Sequence, residues 1–239
     1  MVKLISGPDF ENSSIFVFDI DGTQLSIPVP EDALDDTMSA DASIKNLTDN
    51  ETYDVLESDY MPIKRVLKTQ FRYVDTVNEL ALESTSVMFR ILKVDNFRPI
   101  PQENLLHKHE VRRVFFHILC DLKKSLENDG LEKAYFVFPE SEEDIKEINC
   151  NQIHWLIALN GFARIVPPEH TFVTPITNNH LLMIDINTGT YPFGTDEQST
   201  QMRAEAEADV FDFIRSIRIE FSPEVQAEID EVRGAMEAL

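Results

Sequence analysis

Two strand-like apolar runs meet at Asp21-Gly22, and that junction constrains the chain more than any other stretch. Ile15, Phe16, Val17, Phe18 and Ile20 make up the first run. In the second, Leu25, Ile27 and Val29 alternate with Gln24, Ser26 and Pro28. A period of two belongs to a half-buried strand, and Asp-Gly accepts the positive φ of a type I′ turn. The pattern predicts an antiparallel hairpin over 15–29.

The same residues carry a chemical motif. Asp19-Ile20-Asp21-Gly22-Thr23, placed after an apolar strand, resembles the first motif of the haloacid-dehalogenase-like phosphatases. The resemblance implies Asp19 as a nucleophile forming an aspartyl-phosphate, Asp21 as general acid/base, and Mg²⁺ beside Asp19. The metal is needed because a carboxylate and a phosphate dianion repel each other. That chemistry also needs a Ser or Thr at a later strand end, a Lys, and a second acidic pair. Thr174 supplies the first, but no Lys follows Lys146, and Leu182-Met183-Ile184-Asp185-Ile186-Asn187 offers a single acid. A motif lacking its context yields to the hairpin. The expectation is a protein without enzymatic activity, cofactor or metal, and the alternative is a Mg²⁺-dependent phosphohydrolase using Asp19 and Asp21.

Charge bounds the partners. The net charge is −22 and unevenly spread: residues 1–60 hold 14 acids against 2 bases, whereas residues 61–138 hold 13 bases against 10 acids. Such a field repels nucleic acid and anionic membranes and speeds encounter with a basic protein. The segment 31–59 reads as an acidic surface loop opened by a short helix at Glu31–Asp36. Its Asp32, Asp35, Asp36, Asp41, Asp49, Asp54 and Asp59 are the candidate partner-binding residues. Long loops in compact domains tend to be functional or disordered. No apolar run reaches the roughly 20 residues of a membrane span. Met1 to Pro8 lacks the pattern of a signal peptide, so a cytoplasmic location is expected. Cys120 and Cys150 are expected to be buried thiols.

Along the rest of the chain, residues 63–97 read as strands, with Met88–Val94 central. From His109 to Asn128, Val111, Val114, Phe115, Ile118, Leu119, Leu122 and Leu126 form an apolar stripe that predicts a core-facing helix. Arg112, Arg113, Lys123 and Lys124 make its other side basic, and Gly130 stops it. Tyr135–Pro139 reads as a buried strand, and Ser141 with Asp144 as a capping box. From Gln152 onward an antiparallel meander is expected, turning at Asn160-Gly161 and at Asn178-Asn179. A helix over 204–215, a strand over 217–221 and a C-terminal helix over 222–239 started by Ser222-Pro223-Glu224 complete a single domain, 1–239. His107, His109, His117 and Cys120 contain one helical i, i+3 His/Cys pair but no second pair, so zinc is not expected.

The order strand, Asn-Gly turn, strand, polar turn, strand, followed by Phe211-Asp212-Phe213-Ile214-Arg215-Ser216-Ile217-Arg218-Ile219, resembles the end of PsbP-like and DcrB-like domains. The first hairpin, ending in Pro30-Glu31-Asp32, is similar to their opening. The resemblance implies an antiparallel sheet with helices packed on it and a role in binding protein partners. The expected fold class is therefore α+β. The expected function is that of a non-enzymatic acidic binding module, such as a bacterial immunity protein or adaptor that holds a toxin or secretion partner with a basic surface.

Overall fold

A computed structural model describes residues 5–54, 61–75, 80–94, 104–164, 167–189 and 197–237. The strands are β1 (Ile5–Ser6), β2 (Ser14–Ile20), β3 (Thr23–Val29), β4 (Met38–Ser39), β5 (Ser43–Ile44), β6 (Ile63–Asp75), β7 (Leu80–Lys93), β8 (Phe136–Val137), β9 (Lys146–Cys150), β10 (Ile153–Phe162), β11 (Glu169–Pro175), β12 (His180–Asn187) and β13 (Arg218–Glu220). The helices are α1 (Lys108–Asn128), α2 (Glu197–Ser216) and α3 (Pro223–Glu237). The fold is mixed α+β and mainly antiparallel.

The strands form two sheets. The larger has nine strands in the order β1-β6-β7-β12-β11-β10-β8, with β4 added to β6 and β9 to β10. The smaller runs β13-β3-β2-β5, and its β2–β5 contact is parallel. Alternation along the large sheet sends two sets of side chains to opposite faces. Phe89, Ile91, Trp155, Ile157, Phe172, Ile184 and Ile186 pack toward the small sheet's Phe18, Ile20, Leu25 and Ile27. Leu92, Leu156, Ala158, Val173, Leu181 and Met183 pack toward α1. Each fully buried large apolar side chain contributes about 1.5–3 kcal/mol, so both faces are strongly held.

Helix α2 closes the first core. Val210, Phe213, Ile214 and Ile217 recur at three- and four-residue spacing and are buried there. The Phe213 ring lies 4.9 Å from Phe71 and 5.3 Å from Phe10, between centroids. On the other face α1 buries Val111, Val114, Phe115 and Leu119. The last part of its predicted stripe behaves differently: Leu122 is 43% exposed, because the final turns stand off the sheet. The helix ends as predicted. Gly130 has φ 79°, and the amides of Gly130 and Leu131 bond back to Glu127 and Leu126 at 3.1 and 3.3 Å. This is a Schellman arrangement, which needs a left-handed residue after the C-cap.

Several boundaries differ from the sequence expectation. Asn160-Gly161 is not a turn: β10 runs through it to Phe162, and Gly161 pairs with Val137 of β8. Asn160 is buried, and its amide donates to Thr171 Oγ1 at 2.7 Å, which holds it in the sheet. Tyr135–Pro139 yields a two-residue strand that is only half-buried. The missed strand β9 is joined to β10 by Asn151-Gln152, both at positive φ (53° and 65°). Ser222 caps α3 by accepting the Val225 amide, at 3.3 Å, and α2 begins earlier than expected.

Candidate functional site

The predicted hairpin is present. β2 pairs with β3 from Ser14↔Val29 to Ile20↔Thr23, and the turn residues Asp21 and Gly22 have φ 51° and 84°, as a type I′ turn requires. The Asp19 carboxylate accepts the Gly22 amide at 2.9 Å, inside the turn. The Asp21 carboxylate accepts the Leu47 amide at 3.2 Å, fastening the acidic segment. Both motif carboxylates thus have structural partners.

The acidic segment is built, not loose. A 3-10 helix spans Glu31–Asp36 and seats Ala33 in the core, and Thr37 bonds to Thr69 of β6 at 2.7 Å. β4 adds to β6, and the Ala40 amide reaches the Val66 carbonyl at 2.8 Å. The chain then crosses to the small sheet, where the amides of Asp19 and Asp21 donate to the carbonyls of Ala42 and Ile44 at 2.8 and 2.7 Å. Ile44 and Leu47 are buried. A second 3-10 helix spans Asn50–Thr52, followed by the buried Tyr53, whose hydroxyl donates to the Leu47 carbonyl at 2.7 Å. His180 and Lys93 of the large sheet reach the same stretch: His180 Nε2 lies 3.2 Å from the Leu47 carbonyl, and Lys93 Nζ donates to the Thr48 carbonyl at 3.0 Å. Apolar anchors and backbone bonds to both sheets explain why a Gly-free polar stretch is ordered here.

The nominated acids divide accordingly. Asp36 pairs with Arg72. Asp54 accepts the Arg65 amide at 3.0 Å and pairs with Lys64 at 3.6 Å. Asp49 caps the second 3-10 helix by accepting the Glu51 amide at 2.9 Å. Asp32, Asp35 and Asp41 are exposed, with no ion pair among the described residues. Asp59 lies outside the described residues. Some apolar side chains are exposed as well: Ile15 and Val17, on the outward face of β2, are 58% and 48% exposed, and Met38, within the acidic segment, is 71% exposed. Ser43, two residues from Asp41, pairs with Asp19 of the same β2 face. Strand alternation was the signal available for Ile15 and Val17, since β2 is an outer-sheet strand with one face to solvent.

The basic side of α1 is arranged in the opposite way. Arg112 Nη1 donates to the carbonyls of Glu142 and Ile145 at 2.8 and 2.7 Å, and Nη2 pairs with Glu147. Arg113 pairs with the buried Glu110, and Lys124 with Asp121. Burial, together with the charges of Lys108 and Arg112, holds the His154 imidazole down to about 4. His117 and Cys120 sit on one helix, half-buried, and burial pushes the Cys120 thiol up. Among the described residues no three His, Cys, Asp or Glu side chains group closely enough to hold a metal ion, and no helix is long and apolar enough to cross a membrane.

A scan against protein-family models finds no match, and searches of curated proteins and of solved structures return no significant match.

Proposed function

We propose that the protein is a non-enzymatic binding module that engages a basic protein partner through its acidic face, in the manner of an immunity protein or adaptor. One observation carries this reading: an anchored segment holds Asp32, Asp35 and Asp41 exposed, with no ion pair among the described residues, and exposes Met38 as well, while Ile15 and Val17 are exposed on β2, the strand with which this segment pairs. Apolar side chains rimmed by charge are the composition of a protein interface, whereas a merely solubilising surface has no use for the apolar part. The use of Asp19 and Asp21 as turn and anchor groups favours this reading over the phosphohydrolase.

The test uses the charges themselves. Proteins retained by the immobilised wild-type chain are compared with those retained by an Asp32→Lys, Asp35→Lys, Asp41→Lys variant, and association with the recovered partner is followed by stopped flow. Long-range attraction sets association rates and is screened over about 8 Å at physiological salt. The triple variant should associate at least about tenfold more slowly, and added salt should slow the wild type with little change in dissociation. A partner whose association is indifferent to salt and to the three reversals would overturn the proposal.

A further inference from the structure

Where the last turns of α1 stand off the large sheet they leave a cavity of about 270 Å³. Its walls are apolar: Ile63, Leu92 and Met183 from the sheet face Ile118, Leu119 and Leu122 from the helix. Its floor is a polar row crossing four strands. Asn160 donates to Thr171 at 2.7 Å, Thr171 donates to Asp185 at 2.9 Å, and Asp185 pairs with Arg90. Glu169 lies at the end of this row and also lines the space.

The charges in the lining do not cancel. Asp185 is matched by Arg90 and Asp121 by Lys124. Glu169 receives only the Asn187 amide, at 3.3 Å, and forms no ion pair among the described residues. Burial, and secondarily the neighbouring Asp185, push its carboxyl above the ordinary range. Both effects penalise the charged form, and both would be relieved by a cation placed beside it. An apolar chamber with a few convergent polar groups is the usual form of a small-molecule site. This one has at its polar end Glu169, a carboxylate without an ion pair among the described residues.

We propose that this cavity binds a small amphiphilic organic cation, an ammonium group on an apolar body, with the ammonium at Glu169 and the body between Leu122 and Met183. At about 30 Å³ for a water-sized group, the space takes roughly eight to nine non-hydrogen atoms. This site is independent of the acidic face, since its lining shares no residue with 31–54.

Hexylammonium, hexanoate and 1-hexanol, which share a body and differ in charge, are titrated into the full-length wild-type protein and followed by calorimetry and by chemical shifts of the Met methyl groups. Hexylammonium should bind saturably and at least about tenfold more tightly than either of the others. Glu169→Gln should weaken it about fivefold or more, while leaving 1-hexanol unchanged. Leu122→Trp, at a position open enough to accept the larger ring, should abolish hexylammonium binding with the thermal midpoint retained. Ser125→Phe, which narrows the same space from the next helical turn, serves if Leu122→Trp does not fold. Preference for hexanoate would show that Arg90 governs the site, and equal binding of all three would show that only its apolar walls matter; either result overturns the proposal. So would the absence of hexylammonium binding, or binding that survives both helix substitutions.

Discussion

The acidic segment 31–54 and the basic side of α1 are both dense in charge, yet they hold it differently. Arg112, Arg113 and Lys124 bond to carbonyls and carboxylates of their own chain, leaving Lys123 alone of the four without a partner among the described residues, whereas Asp32, Asp35 and Asp41 all lack an ion pair there. Charge counted along a sequence is therefore a poor measure of charge available to a partner. What matters is whether opposite groups lie within reach in the fold. Cations on α1 meet the carbonyls of Glu142 and Ile145, just ahead of β9, and the acids of 110–147, while Asp32, Asp35 and Asp41 are exposed on a segment that contains one Lys.

The largest effect should come from breaking an internal commitment. Arg112→Ala strands the Glu142 and Ile145 carbonyls and the Glu147 carboxylate, and should cost about 2–3 kcal/mol in urea unfolding. A loss under about 0.5 kcal/mol would mean that α1 retains a free basic face after all.

His154 sharpens the same contrast through pH. Its folded-state value, about 4, lies below the ordinary 6.5, because the ring is buried and faces Lys108 and Arg112; Asn149 bonds its Nδ1, and Glu147 lies 3.6 Å from Nε2. The unfolded chain therefore takes up this proton first on acidification. The stability held by the neutral ring is complete above pH 6.5 and is lost as pH falls toward 4. With the ring partly screened by solvent, the loss is about 1–2 kcal/mol. His170, also held down by burial, adds in the same direction, and Glu169, pushed up, opposes it. Unfolding of wild type and His154→Gln at pH 7.5 and 5.0 measures the difference, and the variant should show the shallower decline.

Smaller effects separate the acids from one another. Asp36→Asn removes the Arg72 pair and should cost about 0.5 kcal/mol, the ordinary value of a surface bridge. The Asp32, Asp35, Asp41 reversal should leave stability within about 0.5 kcal/mol or raise it slightly, since it relieves repulsion. Loss of stability from the triple reversal would place those carboxylates among the committed groups and erase the comparison.

Local signals with a defined physical cause were legible. Asp21-Gly22 sits at positive φ, the α1 stripe faces a core through Leu119, Gly130 ends that helix, and Ser141 forms a capping box with Asp144. The misreadings came from groups whose partners are distant in sequence. Asn160 looks like a turn residue until Thr171 takes its amide. β9 is hard to see because its two apolar side chains, Ile148 and Cys150, are only half-buried and stand among the exposed Lys146, Glu147 and Asn149. Its turn at Asn151-Gln152 lacks the usual Gly and is held by the Asn151 amide on the Ile217 carbonyl at 2.9 Å. The acids of the candidate site could be counted from sequence, but not sorted. Arg72 lies 36 residues from Asp36, and nothing local marks that pair.

The anchoring of the acidic segment also sets the thermodynamic character of any encounter. Ala33, Ile44, Leu47 and Tyr53 have already spent the entropy of ordering this stretch against the two sheets. A partner meets carboxylates on a fixed frame and does not have to fold a disordered tail. Binding should then show the small heat-capacity change of a modest rigid interface, without the large negative change that accompanies coupled folding.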